Sequence, residues 1–315
     1  MRVVFAGTPD FAVPSLEVLL DSSLADPVAV YCQPDRPSGR GRTIRPGPVK
    51  SKATKAAVPV FQPEKINTPE AIAQLKSLKP DLVVVVAYGA LLKKQHLEIP
   101  RLGCFNLHAS LLPRWRGAAP IQRAIEAGDA ISGVSLMRIV EELDAGPILA
   151  QSETSLDEHV TGGWLHDRLS RMAADLLIQN LPALASGKLT EQKQNRSKVT
   201  YAKKLGKEES WVDWTNSAGQ IERRIRAFVP WPGCMFSIEG RPLKILKASA
   251  IPHQESASPG QILQVGPEGI VVQSGKGAIR IEKVQKPGGK AMHVADYLNG
   301  HSMHAGITFD TPEKG

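Results

Sequence analysis

An asparagine and a histidine stand two residues apart where an apolar stretch meets a turn. The stretch runs from Gly103 to His108. Because side chains alternate along a strand, Asn106 and His108 project from the face opposite Phe105 and Leu107. An amide supplies a neutral hydrogen-bond donor for a developing oxyanion, and an imidazole can either take a proton or donate to the oxyanion. The pair therefore fits acyl-transfer chemistry at the end of a strand.

A carboxylate that could complete this set follows in E-L-D-A-G-P, where Asp144 can orient an imidazole or relay a proton through water. There is no G-x-S-x-G, and Cys104 is the only cysteine near a candidate base in sequence. We interpret all three cysteines, Cys32, Cys104 and Cys234, as buried structural residues of a reduced setting. We predict Asn106, His108 and Asp144 as the catalytic residues, without a metal or a covalent enzyme intermediate.

Two apolar strands and a helix at the start of the chain predict the scaffold for these residues. Arg2–Ala6, a helix from about Asp10 to Leu20, and Val28–Cys32 make a βαβ unit. The run Asp81–Tyr88 is continuously apolar, which is typical of a central parallel strand. Ligands of such sheets bind outside the carboxyl ends of strands, so we expect Tyr88 and Gly89 to border one crevice with Asn106.

The second half of the chain changes character after a polar run. Residues 189–207 are rich in charged side chains and are typical of a linker. Five short apolar stretches separated by glycine and proline turns follow, which indicates a small barrel. We therefore predict a Rossmann-like α/β domain with a mostly parallel sheet over residues 1–188. A linker over 189–207 and a small C-terminal β-barrel (OB-like) domain over 208–315 complete the prediction.

The net charge of +8 is concentrated in two regions. Residues 33–55 hold seven basic side chains against one acidic, and residues 188–247 hold thirteen against six. Four arginines of the first region lie on a glycine- and proline-rich loop over 33–48: Arg36, Arg40, Arg42 and Arg45. Guanidinium groups are bidentate donors to phosphate, so this loop predicts contact with a polyanion. The chain has no apolar run of 18 residues and no signal-peptide pattern at its start, so we expect a cytoplasmic protein.

The run N-L-H-A-S-L-L-P-R-W-R-G-A-A-P-I-Q, together with L-D-A-G, resembles the signature of the folate-dependent formyltransferases. Its R-W-R-G-A-A-P-I-Q part most resembles the family members that act on methionyl-tRNA, and R-A-F-V-P-W-P-G at residues 226–233 resembles the start of their C-terminal domain. The resemblance covers roughly Arg2 to Asn299. It implies transfer of the formyl group of 10-formyltetrahydrofolate to the free amino group of initiator methionyl-tRNA, which gives N-formylmethionyl-tRNA for translation initiation.

The resemblance also implies ligand contacts. The folate would bind at Tyr88 and Gly89 and along the run Ser110, Leu111, Leu112 and Pro113. The loop with Arg36, Arg40, Arg42 and Arg45 would wedge against the acceptor end of the tRNA, and the C-terminal domain would bind the tRNA as well. We expect a monomer without a membrane partner. One departure is mild: Pro147 stands where many family members carry Asp.

Three other functions remain open on the sequence. A formyltransferase for a small amine, such as glycinamide ribonucleotide or an amino sugar nucleotide, would share Asn106, His108 and Asp144 but would need neither the arginine loop nor the C-terminal domain. A nicotinamide-dependent oxidoreductase would be expected to carry G-x-G-x-x-G, which the turn F-A-G-T-P-D lacks. A non-catalytic RNA-binding module would leave the asparagine, histidine and aspartate unexplained.

Overall fold

The computed structural model describes residues 1–38, 43–188, 190–254 and 257–310. The chain divides into two compact units. The first comprises Met1–Pro120, Ile131–Ser155 and His166–Ala202. The second comprises Ile121–Ala130, Leu156–Leu165 and Lys203–Gly315. Two helices therefore contribute residues to both units.

Eleven strands lie in the described part of the first unit. They are β1 Arg2–Gly7, β2 Asp26–Tyr31, β3 Pro37–Ser38, β4 Thr43–Ile44, β5 Val60–Phe61, β6 Leu82–Val86, β7 Gly103–His108, β8 Arg116–Gly117, β9 Ile131–Arg138, β10 Ile148–Ser155 and β11 Tyr201–Ala202. The first six helices are α1 Val13–Leu20, α2 Pro48–Lys55, α3 Pro69–Ser77, α4 Lys94–Leu97, α5 Pro120–Ala127 and α6 Gly162–Ser186. No helix in the described ranges has the length and apolarity needed to cross a bilayer.

A seven-stranded sheet in the order β10-β9-β7-β6-β1-β2-β5 forms the centre of the first unit. The five strands from β7 to β5 pair in parallel, whereas β9 and β10 are antiparallel. All five residues of β6, Leu-Val-Val-Val-Val, are buried, as expected of a central strand covered on both faces. The predicted Rossmann-like, mostly parallel sheet is confirmed.

The arginine loop is more regular than its composition predicts. Proline and glycine led us to expect irregular backbone throughout residues 33–48, but Pro37 pairs with Ile44 and Ser38 with Thr43. That part of the prediction is wrong, because a proline at the edge of a short hairpin does not need a ladder donor. Arg40 and Arg42 lie outside the described residues.

The second unit contains an antiparallel sheet. Its elements are α7 Ala218–Phe228, β12 Cys234–Ile238, β13 Arg241–Ile251, β14 Ile262–Gly266, β15 Gly269–Gln273, β16 Ala278–Gln285, β17 Ala291–His293 and α8 Val294–Leu298. The order is β12-β13-β16-β15-β14, and β17 also pairs with β16. The five strands predicted from the sequence are present; β17 was missed because three residues give no periodic pattern. Closure of this sheet into an OB-like barrel stays a prediction.

The tail after Gly300 has no sequence pattern, yet it is hydrogen-bonded to β12 and to the segment just before β14, and β12 and β14 are the two end strands of the order given above. The Phe309 amide donates to the Gly260 carbonyl at 3.0 Å, and the Asp310 amide donates to the Ser237 carbonyl at 2.8 Å. The Phe309 ring is buried, with its centroid 4.4 Å from that of Phe236. The tail is thus part of the second unit's core.

Residues 190–202, within the predicted linker, fold with the first unit. Strand β11 pairs in parallel with β8. Farther upstream, Gln192 and Ile148 exchange two backbone hydrogen bonds of 2.8 Å. This segment therefore lies against the loops that follow β7 and β9. The domain limits at residues 188 and 208 stay predictions.

Candidate active site

Strand β7 places Asn106 and His108 as the alternation predicts. Phe105 and Leu107 are buried in the layer on the other face. Asn106 pairs in register with Val85 of β6, next to the carboxyl end of that central strand. His108 is the last residue of β7 and only 6% exposed. The two polar side chains therefore occupy the edge of the sheet at which parallel α/β folds bind ligands.

A backbone carbonyl orients the His108 imidazole. Its Nε2 lies 2.8 Å from the carbonyl oxygen of Trp115. A carbonyl only accepts hydrogen bonds, so Nε2 must carry the proton in this contact. In the neutral ring, Nδ1 then holds a lone pair and acts as the basic nitrogen.

Asp144 faces that basic nitrogen. Its Oδ2 accepts a hydrogen bond of 2.8 Å from the Gly117 amide and lies 3.7 Å from His108 Nδ1. The 3.7 Å separation is too long for a hydrogen bond. It is short enough for a carboxylate to stabilise an imidazolium once Nδ1 gains a proton. This geometry thus suits Asp144 to stabilise a charge on the ring, while the Trp115 carbonyl orients the ring.

The turn that carries Asp144 depends on the next two residues, Ala145 and Gly146. Asp144 has φ +48°, a left-handed conformation that aspartate tolerates better than most residues. A β-carbon at Gly146 would lie 1.8 Å from the Arg138 carbonyl oxygen, so only glycine fits there. The Gln194 side-chain amide donates to the carbonyls of Asp144 and Gly146, both at 2.8 Å. The motif D-A-G therefore encodes a tight turn as well as a carboxylate.

Within the described residues, the Asn106 amide is open to donate a hydrogen bond. Its side chain is partly exposed and has no hydrogen-bond partner among the residues that the structure describes. An open amide donor beside an oriented base matches the needs of a tetrahedral intermediate, where an oxyanion and a proton must both be accommodated. The structure brings together all three residues predicted as catalytic.

The run Ser110–Pro113 continues from β7 and is held by a buried serine of β9. Ser135 Oγ donates to the Ser110 carbonyl at 2.7 Å and accepts from the Leu112 amide at 3.0 Å. Ser110 Oγ donates to the Arg114 carbonyl at 2.6 Å, and the Leu112–Pro113 peptide is cis. The backbone of this run, with partly exposed Leu111 and Pro113, is therefore fixed next to His108.

Tyr88 and Gly89 follow the carboxyl end of β6, but the Tyr88 ring belongs to the core. The ring is 2% exposed and packs in a buried cluster with Tyr31 and Cys104. Burial raises the pKa of Tyr88 to about 12. Gly89 has φ +84°, a conformation that favours glycine. Tyr88 is buried as a whole residue, and its carbonyl accepts a hydrogen bond of 3.3 Å from Thr8 Oγ1, whereas Gly89 is exposed at this strand end.

The cysteines are buried thiols. Burial raises the pKa of Cys104 to about 12, and its Sγ lies 3.8 Å from the His96 carbonyl oxygen. The same cause raises the pKa values of Cys32 and Cys234 to about 12. Since the thiolate is the nucleophilic form, the interpretation of Cys104 as structural agrees with its surroundings.

The base of the arginine loop is anchored by a polar network. The Asp35 carboxylate accepts hydrogen bonds from the Lys50 ammonium and from Gln62 Nε2, and Lys50 holds the pKa of Asp35 below its ordinary value. Arg36 and Arg45, on either side of the hairpin, are exposed. An anchored base with exposed arginines suits a loop that contacts a partner.

Sequence reasoning missed the groups that position the predicted residues. Trp115 and Gly117 act through their backbone, so their residue types do not show which carbonyl or amide is used. Ser135 sits in a strand whose pattern indicates only alternation. Gln194 lies 50 residues from Asp144 in a polar run that is typical of a linker. Proximity in the fold, not spacing, reveals all four.

The comparisons with known proteins match this architecture. The family described as "Formyl transferase" matches residues 1–181, and "Formyl transferase, C-terminal domain" matches residues 204–302. The chain belongs to the formyltransferase family.

Similar proteins include the methionyl-tRNA formyltransferase of Pseudomonas entomophila, 50% identical over 299 residues, which cover 95% of this chain and 96% of the relative. That of Xylella fastidiosa (strain M23) is 52% identical over 300 residues, 95% of this chain and 97% of the relative. Among solved structures, the N-formyltransferase of Helicobacter canadensis in complex with folinic acid and dTDP-3-aminofucose has a TM-score of 0.68 at 20% identity. The match covers 91% of this chain and 100% of that one.

The hydrogen bond to Trp115 predicts the tautomer of His108. We expect the neutral imidazole to carry its proton on Nε2, because the carbonyl at 2.8 Å only accepts. Long-range ¹H–¹⁵N spectra of the labelled protein, assigned with His108→Ala, distinguish the two tautomers. A neutral ring protonated on Nδ1 would contradict this geometry.

Proposed function

We propose that this chain transfers the formyl group of 10-formyltetrahydrofolate to the amino group of initiator methionyl-tRNA, which yields N-formylmethionyl-tRNA for translation initiation. The observation that carries the proposal is the grouping of the open Asn106 amide, the basic Nδ1 of His108 and the Asp144 carboxylate at one strand end. About 50% identity to methionyl-tRNA formyltransferases over nearly the whole chain supports this acceptor.

The chemistry follows from the charges that develop during transfer. Attack of the methionyl amine on the formyl carbon forms a carbon–nitrogen bond and leaves an oxyanion and an ammonium in the tetrahedral intermediate. The Asn106 amide donates to the oxyanion. His108 Nδ1 accepts the ammonium proton, and the resulting imidazolium lies beside the Asp144 carboxylate. Collapse breaks the bond to the folate nitrogen, and the imidazolium returns the proton to that leaving nitrogen. Tetrahydrofolate is released and His108 is neutral again.

The folate would bind at the shared end of β6 and β7. Ser110, Leu111, Leu112 and Pro113 offer a backbone that Ser135 holds in place. Tyr88 and Gly89 would border the ligand at the neighbouring strand end, where Gly89 is exposed. Leu111 and Pro113 are partly exposed on this fixed run, and a surface held in place by other contacts binds a ligand without further ordering. Membership of the formyltransferase family and a structural neighbour solved with folinic acid support a folate as the ligand.

The tRNA would be held through basic surface of both units. The loop with Arg36, Arg40, Arg42 and Arg45 would contact the acceptor end, and the C-terminal OB-like domain over 208–315 would bind the body of the tRNA. The excess of basic residues over 33–55 and 188–247 supports a polyanionic partner. The catalytic domain over 1–188, the linker over 189–207, a monomeric state, a cytoplasmic location and catalysis without a metal are parts of this proposal.

One assay tests the acceptor. The purified protein is incubated with 10-formyltetrahydrofolate and either methionyl-tRNA, uncharged tRNA, glycinamide ribonucleotide or a nucleotide amino sugar, and formylated products are identified by mass spectrometry. We expect product with methionyl-tRNA alone. Formylation of a small amine without formylation of methionyl-tRNA would make this a small-amine formyltransferase, the function that solved neighbours such as the Helicobacter canadensis enzyme represent.

The catalytic assignment predicts a loss of turnover without a loss of binding. Removing one oxyanion donor typically costs about 10²–10³ in kcat, so we expect Asn106→Ala to lower kcat by about 10² or more. General acid–base catalysis contributes about 10²–10⁴-fold, so we expect His108→Ala to lower kcat by about 10² or more as well. Formyl-folate affinity and the melting temperature check that each variant remains folded and binds its donor. Turnover of either variant at the wild-type rate would remove that residue from the mechanism.

The basic loop predicts a selective effect on the tRNA. Each arginine–phosphate contact releases counterions, so removing two of them weakens binding and flattens its salt dependence. We expect Arg36→Ala with Arg45→Ala to raise the KM for methionyl-tRNA and to reduce the slope of log KM against log salt. Arg40→Ala with Arg42→Ala should act in the same way. The folate affinity should stay unchanged in both pairs.

The matched control removes two exposed charges from elsewhere in the first unit, Lys65→Ala with Lys76→Ala. This pair should leave the tRNA kinetics unchanged at every salt concentration. Equal effects of the arginine and lysine pairs would show a general charge effect, and no effect of either arginine pair would make the loop an ordinary solvated surface.

A further inference from the structure

The segment of residues 190–202, which we call the strap, is hydrogen-bonded along the loop that follows His108. The Trp115 amide donates to Thr200 Oγ1 and the Arg116 amide to the Thr200 carbonyl, both at 2.9 Å. The Ala118 amide donates to the Ala202 carbonyl at 2.9 Å. This loop supplies the Trp115 carbonyl that orients His108 and the Gly117 amide that holds Asp144. The strap therefore braces both positioning groups.

Gln194 of the strap uses its whole side-chain amide. Its Oε1 accepts from Arg116 Nε and Nη2 at 3.1 and 2.9 Å. Its Nε2 donates to the carbonyls of Asp144 and Gly146 at 2.8 Å each. Arginine only donates and carbonyls only accept, so the amide has one possible orientation here. Both acceptor sites and both donor hydrogens are satisfied.

Arg116 is a suitable anchor for this contact. Its side chain is 4% exposed, and its Nη1 donates to Glu142 Oε1 at 2.9 Å. A buried guanidinium must keep its hydrogen bonds, because an unpaired buried charge is costly. Arg116 also follows Trp115 directly in the chain. The Arg116 guanidinium and the Gln194 amide thus connect the loop that carries the Trp115 carbonyl to the turn that carries Asp144.

We propose that Gln194 is a positioning residue for His108 and Asp144. It holds the left-handed Asp144 turn so that the carboxylate faces His108 Nδ1, and the strap thereby couples the orientations of His108 and Asp144. The kinetic part of this inference rests on the proposed formyl transfer, whereas the geometry does not.

The substitution Gln194→Glu distinguishes a residue that positions the Asp144 turn from one that only fills space. Glutamate has the same shape and would pair with Arg116, but it has no N–H to donate. Its second oxygen would face the carbonyls of Asp144 and Gly146, and the repulsion between these acceptors would move the turn. A residue that only fills space would tolerate this isosteric change.

The test compares Gln194→Glu with Gln192→Glu. Gln192 lies on the same strap, is exposed, and undergoes the same change in charge. A small misplacement of reacting groups costs up to about 10²-fold, so we expect kcat of Gln194→Glu to fall by about tenfold to a hundredfold. The KM values for both substrates should stay unchanged. Gln192→Glu should keep the wild-type kcat.

A spectroscopic readout without substrate completes the test. The imidazole ¹⁵N shifts of His108 should change in Gln194→Glu and stay at the wild-type values in Gln192→Glu. If Gln194→Glu does not fold, Thr200→Val, which removes the acceptor of the Trp115 amide, should lower kcat and shift the same signals. Should the wild type fail to formylate methionyl-tRNA, the proposed function falls, and these spectra still decide the role of Gln194.

Three results would overturn the proposal. The first is a folded Gln194→Glu variant with wild-type kcat and wild-type His108 signals. The second is an equal loss of kcat in Gln192→Glu. The third is a raised KM with an unchanged kcat, which would place Gln194 in substrate binding.

Discussion

The hydrogen bond from His108 Nε2 to the Trp115 carbonyl is the interaction on which the site depends. It commits one ring nitrogen to donation and leaves a lone pair on Nδ1, the nitrogen that we propose as the base. The ring is 6% exposed and Asp144 faces Nδ1 at 3.7 Å, so the proton-bearing imidazolium would form in a sheltered position next to a carboxylate. A ring free to rotate would lose this assignment of donor and acceptor. The rest of the site is arranged to keep it.

Three parts of the first unit support that bond. Strand β7 delivers His108 at the end of a parallel strand, the loop after it returns to present Trp115, and the strap holds the loop from the other side. The Asp144 carboxylate lies on a different segment, the turn after β9, where Gly146 packs closely against the Arg138 carbonyl. Distant segments thus meet at one imidazole, and the hydrogen bonds of Gln194 tie two of them together. Buried polar groups connected in this way are rigid because each has its partner.

The sequence predicts the scaffold well because local patterns determine it. The five buried residues Leu82–Val86 could only be a central strand, and alternation through Gly103–His108 puts Asn106 and His108 on one face. What the sequence could not show depends on tertiary contact. Trp115 and Gly117 contribute backbone atoms, and Gln194 belongs to a polar run without periodicity. The sequence places Tyr88 at the end of its strand, but it could not show that this residue packs into the core with Tyr31.

Asp144→Asn tests the central claim most directly, namely that a fixed carboxylate stabilises the imidazolium of His108 during transfer. The amide oxygen can still accept from Gly117, but it carries no charge for His108. The measurement is the single-turnover rate of formyl transfer to methionyl-tRNA, with formyl-folate affinity measured in parallel. Because general acid–base catalysis contributes about 10²–10⁴-fold, we expect the rate to fall by about 10² or more with the affinity unchanged. A single-turnover rate close to that of the wild type would contradict the account.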